Sequence, residues 1–116
     1  MTNPVRIQLS RRKGFDLQAL SRSINGLPAV NCARPFPYCN PFSVTTNVAP
    51  GTRVGGGSGY IAVPTLEDAI ACFRIYAETE GNLPNLKTDL AGKNLACWCK
   101  PGDACHADVL LELANR

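Results

Sequence analysis

Asn94-Leu95-Ala96-Cys97-Trp98-Cys99-Lys100-Pro101-Gly102-Asp103-Ala104-Cys105-His106 is the stretch whose reading decides the fold. Three of the six cysteines and the only histidine fall inside it. Leu95 to Cys99 reads as a strand, with Leu95, Cys97 and Cys99 on one side and Ala96 and Trp98 on the other. Pro101-Gly102 turns the chain and Asp103 is placed to cap a terminal helix, whose buried stripe comes from Val109, Leu110 and Leu113. Two thiols at a strand end therefore face Cys105 and His106 in the first turn of a helix. A strand that feeds a helix in this way points to an α/β architecture.

Around this stretch the chain has 116 residues, one domain's worth and enough to bury a core. With 45% hydrophobic and 18% charged residues it is globular in composition. No apolar run approaches the ~20 residues of a membrane span. The start, Met1-Thr2-Asn3-Pro4-Val5-Arg6, lacks the apolar core of a secretory signal, so a reducing cytoplasm is the expected location. There, cysteines read as thiols, metal ligands or redox groups before they read as disulfides. Cys32 and Cys72, among apolar neighbours, read as core. The net charge of +3 is mild and gathers near the start in Arg6, Arg11, Arg12, Lys13 and Arg22. It hints at an anionic partner but falls short of the basic footprint of most nucleic-acid modules.

Val5 to Ser10 alternates with period two and reads as the first strand, followed by the basic turn Arg11-Arg12-Lys13-Gly14. Asp16 to Ser23 reads as a short helix or turn, halted by Asn25-Gly26 and Pro28. Pro28 to Ala33 reads as a second strand. In Arg34-Pro35-Phe36-Pro37-Tyr38-Cys39-Asn40-Pro41-Phe42, three prolines forbid regular structure and make a rigid loop that presents Arg34 and Asn40. Ser43 to Val48 and Tyr60 to Val63 read as strands. The glycine-rich loop 51–59 between them fits neither the Walker nor the dinucleotide pattern and is read as a mobile hairpin tip. Thr65 caps the clearest helix, with Leu66, Ile70, Phe73 and Ala77 on one face and Gly81 at its close. Pro84 to Ala91 reads as a second short helix ended by Gly92. The expectation is one α/β domain over residues 1–116, a small single sheet with helices packed on it. Its strand ends would gather Arg11, Arg34, Asn40 and the cysteine cup in one crevice.

Three chemistries suit the cup. Cys97, Cys99, Cys105 and His106 have the types and number for tetrahedral zinc or a similar metal. Alternate residues of a flat strand lie about 7 Å apart and neighbours on a helix point about 100° apart, so this site requires a local knuckle. A thiol nucleophile is the second option: Cys99 or Cys105, activated by the helix N-terminus and Lys100, with His106 as general base or acid. The third is a junction of small packed thiols, with His106 bonded to the preceding loop. Zinc deaminase chemistry is disfavoured, since neither His-x-Glu nor Pro-Cys-x-x-Cys occurs.

Leu95-Ala96-Cys97-Trp98-Cys99-Lys100-Pro101, followed by Cys105-His106-Ala107-Asp108-Val109-Leu110, resembles the C-terminal signature of the uncharacterised family called domain of unknown function 4326, met in bacteriophage and bacterial genomes. Arg6 to Gly14 resembles its opening strand and basic turn, and Arg34-Pro35 with Asn40-Pro41-Phe42 resembles its Arg-Pro and Gly-Asn-Pro-Phe loop. Ala69, Phe73, Arg74 and the Gly92-Lys93 approach also fit. Cys39 stands where the family usually has glycine, and Tyr38 where it usually has tryptophan. The resemblance implies that Arg34, Asn40, Cys97, Cys99, Cys105, His106 and Asp108 belong to a shared pattern, and it brings no reaction with it.

A viral setting makes nucleotides and nucleic acids reasonable ligands. The expected function is a small ligand-binding protein, with catalysis open, acting on a phosphate-bearing nucleotide or nucleic acid. Arg34 and Arg11 would hold the anion, Asn40 would orient a polar group, and the Cys and His cluster would supply a metal or a thiolate. The alternative is a non-enzymatic interaction domain with a structural zinc or with cysteines that only pack.

Overall fold

A computed structural model of the chain describes residues 3–34, 36–55 and 59–116. In chain order it contains β1 (Arg6–Gln8), α1 (Leu17–Asn25), β2 (Ala29–Asn31), β3 (Phe42–Val44), β4 (Arg53–Val54), β5 (Tyr60–Val63), α2 (Leu66–Glu78), α3 (Leu86–Leu90), β6 (Asn94–Cys97) and α4 (His106–Ala114). The fold is α/β, and its strands form two three-stranded sheets, β1-β6-β2 and β3-β5-β4, where one small sheet was expected.

The first sheet positions the site. β6 lies between β1 and β2 and runs parallel to both, with Ile7 opposite Ala96 and Val30 opposite Leu95. All four of its residues are buried. A parallel strand covered on both faces has no solvent side, which is why Leu95 to Cys97 read as a continuous apolar run. On one face Leu95 and Cys97 pack with Phe73 of α2, Leu86 and Leu90 of α3, and Val109, Leu110 and Leu113 of α4. On the other, Ala96 packs with Ile7, Leu9, Ala29 and Ala33, under Phe15 and Leu17. Three layers result.

Helix α1 seals the second face. Asp16 caps it, accepting from the Ala19 amide at 3.1 Å, and Gly26 ends it at φ 79°, a left-handed turn that glycine adopts without a Cβ clash. The helix reaches Asn25, beyond the expected Ser23, because Asn25 exchanges two 2.8 Å amide hydrogen bonds with the buried Asn94. Asn94 also donates to Ser21 at 2.7 Å and accepts from the Val5 amide at 2.9 Å.

In the second sheet β3 pairs parallel to β5, and β4 pairs antiparallel to it. The glycine-rich segment joins β4 to β5. Its expected mobile tip includes residues 56–58, which lie outside the described residues. Thr65 caps α2 through the Asp68 amide, and the helix ends at Thr79 before Gly81. Its most buried residues are Ala69 and Phe73, which leaves Leu66 exposed.

The start of α4 departs from expectation. Cys105, not Asp103, occupies the N-cap position, and Asp103 instead offers its backbone carbonyl to Arg6. No helix among the described residues is long and apolar enough to cross a membrane.

Candidate metal centre

β6 ends at Cys97, so Trp98 and Cys99 lie beyond regular pairing and the chain turns back through Lys100 to Asp103. That bend supplies the knuckle a straight strand lacks. The sulfurs of Cys97, Cys99 and Cys105 lie within 4.8 Å of one another, with Cys97 and Cys105 2.9 Å apart. Cys97 and Cys105 are buried and Cys99 is half-buried.

His106 lies beside this set and is not one of it. Its Nδ1 stands 3.9 Å from the Cys105 sulfur, and its Nε2 lies 2.9 Å from the Cys32 carbonyl. A carbonyl can only accept, so Nε2 donates to it, and Nδ1 faces the Cys105 sulfur. Phe73 meets the ring edge-to-face at 5.1 Å and fixes its plane.

The cluster divides its charge unevenly. The hydrogen bond from Cys97 is the main cause holding the Cys105 thiol far below its ordinary range, at about 3, against the opposing effect of burial. His106, Cys99 and the Ala107 backbone at the helix start act in the same direction. Cys97 is pushed upward by that same hydrogen bond and by burial. Cys99 rises to about 11, first through burial and then through Cys105. Within the cluster, negative charge is favoured on Cys105 over Cys97 and Cys99. Cys32 is fully buried and driven up to about 12 by burial, which fits a packing role.

Arg6 brings a cation to this centre that the sequence reading did not name. Arg6 donates to the Asp103 carbonyl at 2.9 Å, the Lys100 carbonyl at 3.0 Å and the Asp108 carboxylate at 3.1 Å. Its side chain is only 12% exposed. Burial alone would lower its pKa, but Asp108 and Cys105 raise it. Arg6 therefore ties the turn between Cys99 and Cys105 to β1. Its signal in the sequence was a charged residue inside an otherwise half-buried alternating strand.

A cavity of about 330 Å³ opens over the thiols. Arg34, Asn40, Cys97, Cys99, Cys105 and His106 all line it, together with Phe42, Val44, Leu66, Ala69, Ile70, Trp98 and Ala104. Arg34 and Asn40 have structural partners there. Arg34 donates from Nε and Nη2 to the Asn40 carbonyl and from Nη2 to the Phe42 carbonyl, and it stacks 4.2 Å from the Tyr60 ring. Asn40 accepts from the Phe42 amide at 2.8 Å and donates to the Ala69 carbonyl at 3.3 Å. Arg11 does not line the cavity; its guanidinium sits 4.7 Å from the ring of Trp98, which does.

Fold and site together define a small α/β protein with a thiol cluster on the wall of an apolar cavity. The model of the family described as domain of unknown function (DUF4326) matches residues 17–116, and the chain belongs to that family. The match takes in the loop from Arg34 and the whole terminal motif, and it begins after β1 and the basic turn. No curated protein and no solved structure matches the chain.

Proposed function

We propose that Cys97, Cys99 and Cys105 bind a thiophilic metal ion, zinc by ligand type, and that this centre serves a cavity that takes a phosphate-bearing nucleotide or nucleic acid. One observation carries the metal reading: three sulfurs within 4.8 Å of one another line the same cavity. Zinc–sulfur bonds of about 2.3 Å set tetrahedral sulfurs about 3.8 Å apart, so an ion would spread Cys97 and Cys105 slightly. Three thiolates leave one coordination position for water, ligand or His106, the pattern of reactive rather than closed zinc sites. His106, whose Nδ1 lies 3.9 Å from the Cys105 sulfur, would serve as a fourth ligand or as a proton donor or acceptor beside it. The exposed basic turn at Arg11, Arg12 and Lys13 supports an anionic ligand.

Cobalt titration tests the centre. Thiolate-to-cobalt charge-transfer absorption should saturate at about one equivalent, and Cys97→Ser and Cys105→Ser should abolish it. Absence of that absorption in the reduced wild-type protein overturns the metal reading. Binding of nucleotides and short oligonucleotides that weakens with salt supports the ligand class. No binding at low salt overturns it.

A second reading has its own observation. Cys105 would act as a thiolate nucleophile, with His106, oriented by the Cys32 carbonyl, beside it to exchange a proton with the substrate. Metal-free protein alkylated selectively at Cys105 near neutral pH, with no protection by added zinc, favours this reading over the metal.

A further inference from the structure

Trp98 is the chain's single tryptophan, and 45% of it is exposed at the wall of the cavity. Large apolar side chains are normally buried in the core, so an exposed indole beside a cavity invites an occupant. Val44 and Leu66 line the same cavity and are also exposed. Ala69, Ile70, Phe42 and Ala104 make the remaining walls apolar.

Most hydrogen-bonding capacity of the polar groups in this cavity is already engaged by the protein. Asn40 has both ends of its amide bonded within the protein, and Arg34 is tied to two backbone carbonyls. The His106 Nε2 proton goes to the Cys32 carbonyl. Thiols are weak donors. Beyond Arg34, positive charge lies outside the cavity, where Arg11 stacks on Trp98 and Arg12 and Lys13 follow it, both exposed.

We infer that Trp98 is a stacking platform for a nucleobase, which enters the cavity while its phosphate stays outside on Arg11, Arg12 and Lys13. This rests on the nucleotide reading above and gives it an orientation. A base is flat, apolar on its faces and able to stack on any aromatic ring, whereas a phosphate needs cationic donors. Arg11, which lies outside the cavity lining, would hold the indole from beside it as the base packs from within.

The test uses the intrinsic fluorescence of Trp98, with adenosine monophosphate, uridine monophosphate, the two nucleosides and inorganic phosphate as probes. Both monophosphates should change the emission, the nucleosides should do so with weaker affinity, and inorganic phosphate should leave it unchanged. By calorimetry, Trp98→Ala should weaken monophosphate binding roughly tenfold, while Trp98→Phe keeps most of it. Arg12→Ala with Lys13→Ala should weaken the monophosphates and spare the nucleosides. If the monophosphates bind by calorimetry while Trp98 emission stays unchanged and Trp98→Ala binds normally, the platform is wrong and the nucleotide reading survives. Inorganic phosphate that changes the emission as strongly as the monophosphates reverses the proposed orientation. If no probe binds, the nucleotide reading fails and the platform fails with it.

Discussion

Asn94 and Cys97 stand at opposite ends of β6 and are almost equally buried, at 0% and 2% exposure. Asn94 has its oxygen and its amide nitrogen each bonded to two partners in the surrounding protein. Cys97 meets Cys105, and both sulfurs line a cavity. No buried side-chain nitrogen or oxygen among the described residues lacks a partner. The soft ligand atoms gathered in this interior are its sulfurs. The contrast separates a polar group buried for structure, whose partners are complete, from soft ligands gathered beside open space.

The largest expected effect is at the thiol end. Cys105→Ala should weaken zinc binding by several orders of magnitude, measured by competition with a chromophoric chelator, because metal affinity at such sites is of the order of 10 kcal/mol. At the other end, Asn94→Leu should lower the unfolding free energy by about 3 kcal/mol, since it strands the Val5 amide and breaks the Asn25 pair. Denaturation with guanidinium gives this value, and the metal stoichiometry should stay unchanged. An Asn94 variant that loses metal as completely as Cys105→Ala would erase the distinction between the two ends.

Arg6→Ala should cost about 2 kcal/mol and weaken metal binding, because the turn between Cys99 and Cys105 loses its anchor to β1. Arg6→Lys should recover little, because a lysine cannot reach two carbonyls and a carboxylate at once.

A graded effect should follow pH in the metal-free protein. Cys105 is depressed from an ordinary 9.0 to about 3, so its contribution is complete above the ordinary value and drains away as pH falls toward the lower one. Stability should therefore rise with pH across that window. Above it, the raised Cys97 and Cys99 reverse the trend, since their contribution is lost as they ionise. Thermal unfolding of wild type and Cys105→Ser across this range shows whether the rise depends on Cys105. The smallest effect belongs to Asp103→Ala, expected within about 0.5 kcal/mol because its side chain does not cap α4.

Local chemistry was legible in the sequence. Period-two alternation announced β1, the apolar run from Leu95 announced β6, the Thr65 cap announced α2, and the spacing of Cys97, Cys99, Cys105 and His106 announced a cluster. What depended on the path of the chain was not. The early end of β6 at Cys97 brought Cys99 closer than a flat strand allows. Arg6 reaches the turn from 94 positions away, a distance no local pattern reports. Arg34 and Asn40 did arrive at the cavity, but carbonyl directions in their loop decided that much of their bonding goes to backbone. The parallel pairing of β3 with β5, across β4, likewise leaves no mark in either segment.

Elemental analysis of protein purified under reducing conditions without chelator, combined with a thiol count, tests the centre most directly. The account predicts about one equivalent of zinc and three cysteines that become titratable only after the metal is removed. Less than about a tenth of an equivalent of any transition metal, with every thiol titratable in the unfolded chain at the outset, would contradict it.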